Sequence, residues 1–178
     1  LKRTEAIVKQ LLGFAKEHKL EFSPHRMDDI ILDTMKLVEY KIKKDDIHLR
    51  LDLNCNHREY MLDYHHMQQV ILNITINAIQ AMSEGGILSV RSVDLEKHLI
   101  ISISDTGVGI PEENIAKIFD PFFTTKDVGV GSGLGLSVSY GIVGKLGGRI
   151  DVLSEVNKGT TFKITIPKKE VKTNYEGA

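Results

Sequence analysis

The stretch DYHHMQQVILNITINAIQAM, residues Asp63 to Met82, constrains this chain most, because two stripes run through it at helical spacing. Met67, Val70, Ile71, Ile74, Ala78 and Ala81 fall on one side at helical spacing, which predicts a helix with one buried face. His66, Gln69, Asn73, Asn77 and Gln80 follow the same rhythm and fall together on a second face. A face that only met water would favour Lys and Glu, which are better helix formers than Asn. Amides and an imidazole suit a polar ligand, and an Asn carbonyl can ligate Mg²⁺ through a hard oxygen. The same stripe could also pack against a neighbouring helix, and this segment alone leaves both readings open.

The flanking sequence supplies the rest of a domain. Residues 1–18 place Thr4, Ile7, Val8, Leu11, Phe14 and Ala15 on one stripe of an amphipathic helix. In FSPHRMDD, Ser23 is a candidate cap, Pro24 suits a first helical position, and Asp28 and Asp29 favour the positive end. That helix is expected to reach Lys44. IHLRLDL and EYML read as short strands, as do GILSVRSV and HLIISIS, where Leu99, Ile101 and Ile103 alternate with Ile100, Ser102 and Ser104. A short helical piece is expected around 112–118 and a last helix over 134–146. GRIDVLS and TTFKITIP then form two closing strands around a turn at Asn157, Lys158 and Gly159. Long helices with several strands imply an α+β sandwich.

Composition narrows the classes. The chain has 178 residues, 42% of them apolar, enough for one domain with a proper core. A net charge of −1 with scattered charges offers no nucleic-acid or anionic-membrane patch. The apolar runs fall well short of a membrane span. Cys55 is the only cysteine, which excludes an internal disulfide and fits a reducing, cytoplasmic setting. The start at Leu1, without a signal-peptide pattern, predicts an excerpt of a longer protein.

Two glycine-rich segments add chemistry. In SDTGVGI, Asp105 ends an apolar strand and precedes Gly107 and Gly109. A carboxylate there can accept a buried donor such as an adenine amino group, while glycines let backbone approach a ring; a plain tight turn explains the same residues. In GSGLGLS, Gly131, Gly133 and Gly135 run into a helix start, whose free N–H groups make an anion site. No Lys-Ser or Lys-Thr pair follows, so this is not a Walker loop. Lys126 upstream can act as a point charge on phosphate, or simply be solvated.

Taken in order, DYHHMQQVILNITINAIQAM, DTGVGIP, IFDPFFTTK, GSGLGLS and KGTTF resemble the N, G1, F and G2 boxes and the last glycine motif of one family. The chain strongly resembles the ATP-binding catalytic domain of two-component sensor histidine kinases, of the Bergerat fold shared with gyrase and mismatch-repair ATPases. The resemblance covers residues 25 to 167, and NAIQAM and PFFTTK look most like the nitrogen-regulation type. It implies a mixed β-sheet packed on three helices, preceded by a remnant of a dimerisation helix. The implied division is 1–20 for the end of the dimerisation hairpin, 21–168 for the catalytic domain and 169–178 for a flexible tail. ATP and Mg²⁺ are the implied cofactors. Asn77 would ligate Mg²⁺ with Asn73 assisting, both as catalytic residues; Asp105 would accept the adenine amino group beside Thr160. Gly107 and Gly109 would shape the pocket floor. Lys126, Ser132 and the backbone of Gly131, Gly133, Leu134 and Gly135 would hold phosphates. Phe122 and Phe123 would anchor one end of a lid.

The chain departs from many relatives at Gln80 and Ala81, where a lysine and often a tyrosine stand, and at His66, where arginine is common. His66 reads as an ordinary helix-face histidine. None of the seven histidines, His18, His25, His48, His57, His65, His66 and His98, has the family's phosphoacceptor context. The implied function is transfer of the γ-phosphoryl to a histidine on a dimerisation domain of the same, homodimeric protein, which then serves a response regulator. Two alternatives are an ATP hydrolase and a non-catalytic nucleotide module. Hydrolases of the superfamily carry a glutamate base where Asn73 stands, and an amide cannot take that proton.

Overall fold

The computed structural model describes residues 19–55, 58–126 and 131–169. The expected opening helix, and the tail beyond Lys169, lie outside them. In chain order the elements are β1 (Ser23–Arg26), α1 (Met27–Lys44), β2 (Ile47–Asn54), β3 (Glu59–Leu62), α2 (Tyr64–Ala81), β4 (Gly86–Asp94) and β5 (His98–Asp105). Then come α3 (Glu112–Ile115), α4 (Gly135–Lys145), β6 (Arg149–Glu155) and β7 (Gly159–Pro167).

Five strands form one mixed sheet in the order β2-β4-β5-β7-β6. β2 runs parallel to β4 because β3 and α2 intervene; the other neighbours are antiparallel. The alternation in β5 works as the sequence predicts: Leu99, Ile101 and Ile103 are buried, while Ile100, Ser102 and Ser104 face the opposite side and are only partly covered. One face of the sheet is covered by α1, α2 and α4, so the architecture is an α+β sandwich of a mixed sheet on three helices. Ile30 and Ile31 of α1, Met67, Ile71 and Ile74 of α2, and Leu88 and Ile101 of the sheet have no exposed surface. No helix among the described residues is long and apolar enough to cross a membrane.

Two expectations fail locally. Ser23 and Pro24 do not open a helix; they lie in β1, which pairs antiparallel with β3. Tyr60 and Leu62 of β3 are buried and need a partner strand, so the chain stays extended through Arg26 (φ −91°, ψ 127°) and the helix starts at Met27. Asp28 turns inward, accepting from Ser92 Oγ at 2.6 Å and Cys55 N at 3.2 Å. Burial pushes the Cys55 thiol up to about 11, well away from thiolate chemistry. The second failure is Ala81, expected in the core. It is only partly buried, and Ile79 and Met82 occupy the core at that end of α2 instead.

Ile101, with no exposed surface in the central strand, tests the packing. Ile101→Ala is expected to lower stability by about 2–5 kcal/mol, read as a lower urea midpoint with an unchanged m-value.

Candidate functional site

The polar face of α2 is where the glycine-rich loops meet the rest of the fold. At its start, Asp63 caps the helix, accepting from His66 N at 2.9 Å. His66 Nδ1 lies 2.8 Å from Asp63 Oδ2, a close contact off the line of a hydrogen bond. His66 is thus a helix-start residue, and Gln69 is exposed. The remaining three members of the stripe reach across to other elements.

Asn73 meets α4. Its Nδ2 donates to Gly135 O at 3.1 Å and to Ser139 Oγ at 3.3 Å, and Ser139 in turn donates to Gly135 O at 2.9 Å. Helix packing therefore does use this part of the stripe. One turn later the amides face a cation instead: Lys126 Nζ donates to Asn77 Oδ1 at 3.3 Å and to Gln80 Oε1. Among the described residues Lys126 has no acidic partner. Burial lowers its pKa, and the charge of Lys41 lowers it further.

At the C-terminal end of α2 the loop after β5 packs against Ala81. Val108 N donates to Ala81 O at 3.1 Å, and a Cβ on Gly107 would lie 2.4 Å from that same oxygen. Only glycine allows the approach. Asp105, 7% exposed, precedes this loop and sits between Leu88 of β4 and Thr160 of β7. Its Oδ1 accepts from Gly107 N at 2.9 Å and Thr160 N at 3.3 Å. Its Oδ2 has no protein donor among the described residues. Burial raises its pKa, and the two N–H groups pull it part of the way back.

Ser154, which the sequence reading passed over, ties this corner together. Its Oγ accepts from Ile110 N at 2.8 Å, donates to Gly159 O at 3.0 Å and lies 2.9 Å from Thr160 Oγ1. Gly109 packs on Glu155 of the same strand. A serine in a strand carries no local signal for such a role; only the β6–β7 register brings it there.

The segment entering α4 is tied to the segment before Lys126. Phe122 N donates to Gly133 O at 2.9 Å. Gly133 has φ +67°, and a Cβ there would stand 2.4 Å from the Phe122 carbonyl carbon. Phe123 packs against the core, whereas Phe122 is 64% exposed. The expected pair of aromatic anchors is thus one ring and one backbone link. Gly131 passes over Thr124 and the Lys126 stem. Leu134 N is engaged by Ser132 Oγ at 3.3 Å, and no side chain caps the start of α4, which leaves first-turn N–H groups for an anion.

A mixed sheet on three helices, with one helix face bordered by a strand-end carboxylate and glycine loops, is the architecture of the Bergerat ATP-binding domains. The family described as histidine kinase-, DNA gyrase B- and HSP90-like ATPase matches residues 62–170. The catalytic domain of histidine kinase ThkA, in a nucleotide-free form, superposes with a TM-score of 0.75 at 33% identity, over 84% of this chain and 97% of that one. Sensor kinase CckA of Brucella abortus is 38% identical over 93% of this chain but only 19% of its own length. Sensor histidine kinase ZraS of Escherichia coli is 34% identical over 98% of this chain and 37% of its length. This chain belongs to that ATPase family, with the sensor histidine kinases. It spans about a fifth to two fifths of those curated relatives.

The Phe122–Gly133 link is testable by itself. Gly133→Ala is expected to cost about 1–3 kcal/mol through its left-handed backbone and the carbonyl clash, measured by chemical denaturation without ligand.

Proposed function

We propose that this chain is the ATP-binding catalytic part of a two-component sensor histidine kinase, presenting Mg-ATP to a histidine on a dimerisation domain. The observation that carries this reading is the pair of unmet charges along one helix face. Among the described residues, a buried carboxylate beyond Ala81 has no donor to its Oδ2, and the Lys126 ammonium at Asn77 has no acid beside it.

The residues fit a nucleotide. On this reading Asp105 Oδ2 accepts an exocyclic amino group, and a backbone cradle at Gly107 that a Cβ would fill supports it. Lys126, Ser132 and the N–H groups around Gly131, Gly133, Leu134 and Gly135 suit phosphate oxygens. Asn77 Oδ1 is a hard oxygen suited to Mg²⁺, which usually keeps several waters and phosphate oxygens around one or two protein ligands. When bound, Mg²⁺ would neutralise charge on the transferring phosphoryl group; the protein's share is positioning and electrostatics. Asn73 is committed to α4 through its amide nitrogen and is no general base. This supports transfer to an acceptor group over hydrolysis.

The acceptor histidine is assigned to a partner domain, because none of the chain's own histidines stands in the family's acceptor motif. On this reading residues 1–20 end the dimerisation hairpin, 21–168 are the catalytic domain and 169–178 are a tail. The parent protein would be a homodimer acting in the cytoplasm on a response regulator. ThkA has been seen in complex with the response regulator protein TrrA, which supports such a partner.

Calorimetry with a non-hydrolysable ATP analogue tests the site. Binding is expected to require Mg²⁺ and to be lost in Asp105→Asn. Because only the ionised carboxylate accepts at both oxygens, wild-type affinity should fall as pH drops through the raised Asp105 pKa. Burial also makes ionised Asp105 a cost to the fold, a cost relieved as pH falls through that same value. Asp105→Asn should therefore be at least as stable as wild type at neutral pH while losing the nucleotide. A destabilised variant that still binds would sink the assignment.

A further inference from the structure

Lys126 is held in an unusual way for a lysine in a glycine-bordered loop. Its Nζ rests on two carboxamide oxygens, those of Asn77 and Gln80, one turn apart on α2. Its backbone N–H donates to Thr124 Oγ1 at 3.2 Å, and Gly131 crosses its stem, where an added Cβ would come within 3.4 Å of Lys126 Cδ. A long, flexible ammonium side chain is thereby held near a single position.

The chemistry of its partners matters. An ammonium has three donors and no acceptor. Asn77 and Gln80 engage two of them, leaving a third N–H, and neither amide cancels the positive charge. A glutamate at position 80 would hold the lysine as well but would neutralise it. A second lysine there would repel it. Glutamine is a side chain that fixes the ammonium and leaves its charge available to an anion. Lys41 adds positive potential at the same point and shares the preference for an anion.

We propose that Gln80 is a positioning residue for phosphate recognition: its carboxamide oxygen holds Lys126 over the α2 face, pre-organised for the outer phosphates of a nucleoside triphosphate. This rests on the nucleotide reading of the site and assigns a task to Gln80, a residue to which the family resemblance gives no role. If Mg²⁺ takes the Asn77 oxygen, Gln80 is the remaining protein acceptor that keeps Lys126 in place. Pre-organisation of this kind raises affinity because less side-chain freedom is lost on binding.

Titration calorimetry of the intact chain tests this, using the Mg²⁺ complex of a non-hydrolysable ATP analogue and, separately, adenosine. Gln80→Ala is expected to weaken the analogue about tenfold, the scale of one hydrogen bond to a charged group, and Lys126→Ala by at least as much. The double variant should be no weaker than Lys126→Ala alone, since Gln80 acts through the lysine. Adenosine affinity should stay within about twofold throughout, as expected for groups that contact only phosphate. Gln80→Glu keeps the size and the acceptor yet pairs the charge, so it should weaken the analogue at least as much as Gln80→Ala. The proposal is overturned if Gln80→Ala has no effect, if its effect persists without Lys126, if adenosine suffers equally, or if Gln80→Glu binds like wild type. A wild-type chain that binds neither analogue nor adenosine removes the nucleotide reading itself, a result none of the other outcomes resembles.

Discussion

The two-faced packing of α2 is the constraint on which the rest of the molecule depends. Met67, Ile71 and Ile74 are fully buried against the sheet, and burying them leaves the helix no rotational freedom about its axis. With 3.6 residues per turn, that choice also sets the direction of Asn73, Asn77 and Gln80. From Asn73 to Ala81 the helix rises by about 12 Å. Along that rise Gly135, Lys126 and Gly107 arrive in turn from three separate stretches of chain. The apolar core and the polar face are therefore one structural decision.

The two charged groups beside this face are both disfavoured by burial. Asp105 is pushed towards its neutral form, with two backbone N–H groups resisting, and Lys126 is pushed the same way by burial and by Lys41. Among the described residues neither is relieved by an opposite charge. Perturbed groups without an oppositely charged partner mark positions where an external ligand gains most. Asp28, by contrast, is buried but satisfied by Ser92 and Cys55, which marks it as structural.

Much of the fold was legible because period and burial agree. The alternation in β5 and the apolar stripe of α2 predict faces that are buried as expected, and the closing strands fall within a residue of their predicted limits. Local signals misled where a distant partner outweighed them. Ser23 and Pro24 form a plausible helix opening, yet Tyr60 and Leu62 needed a strand beside them and β1 supplies it. The amide stripe read as one unit is three: a cap neighbour at His66, a helix-packing clamp at Asn73, and a cation seat at Asn77 and Gln80. Ser139 and Ser154, which knit the site's edges, had no signal at all, because a serine's hydrogen-bond partner is set by register and not by spacing.

Spacing and order alone determined that this chain makes an α+β sandwich with one amide-bearing helix, a strand-end carboxylate and glycine loops, since helical and strand periods are local properties. Which amide meets a helix and which meets a lysine was decided only in three dimensions. The contacts of Lys126 with Asn77 and Gln80 span 49 and 46 residues of chain, and those of Asn73 with α4 span 62 and 66. No local preference reaches that far; the packing of α2 on the sheet does.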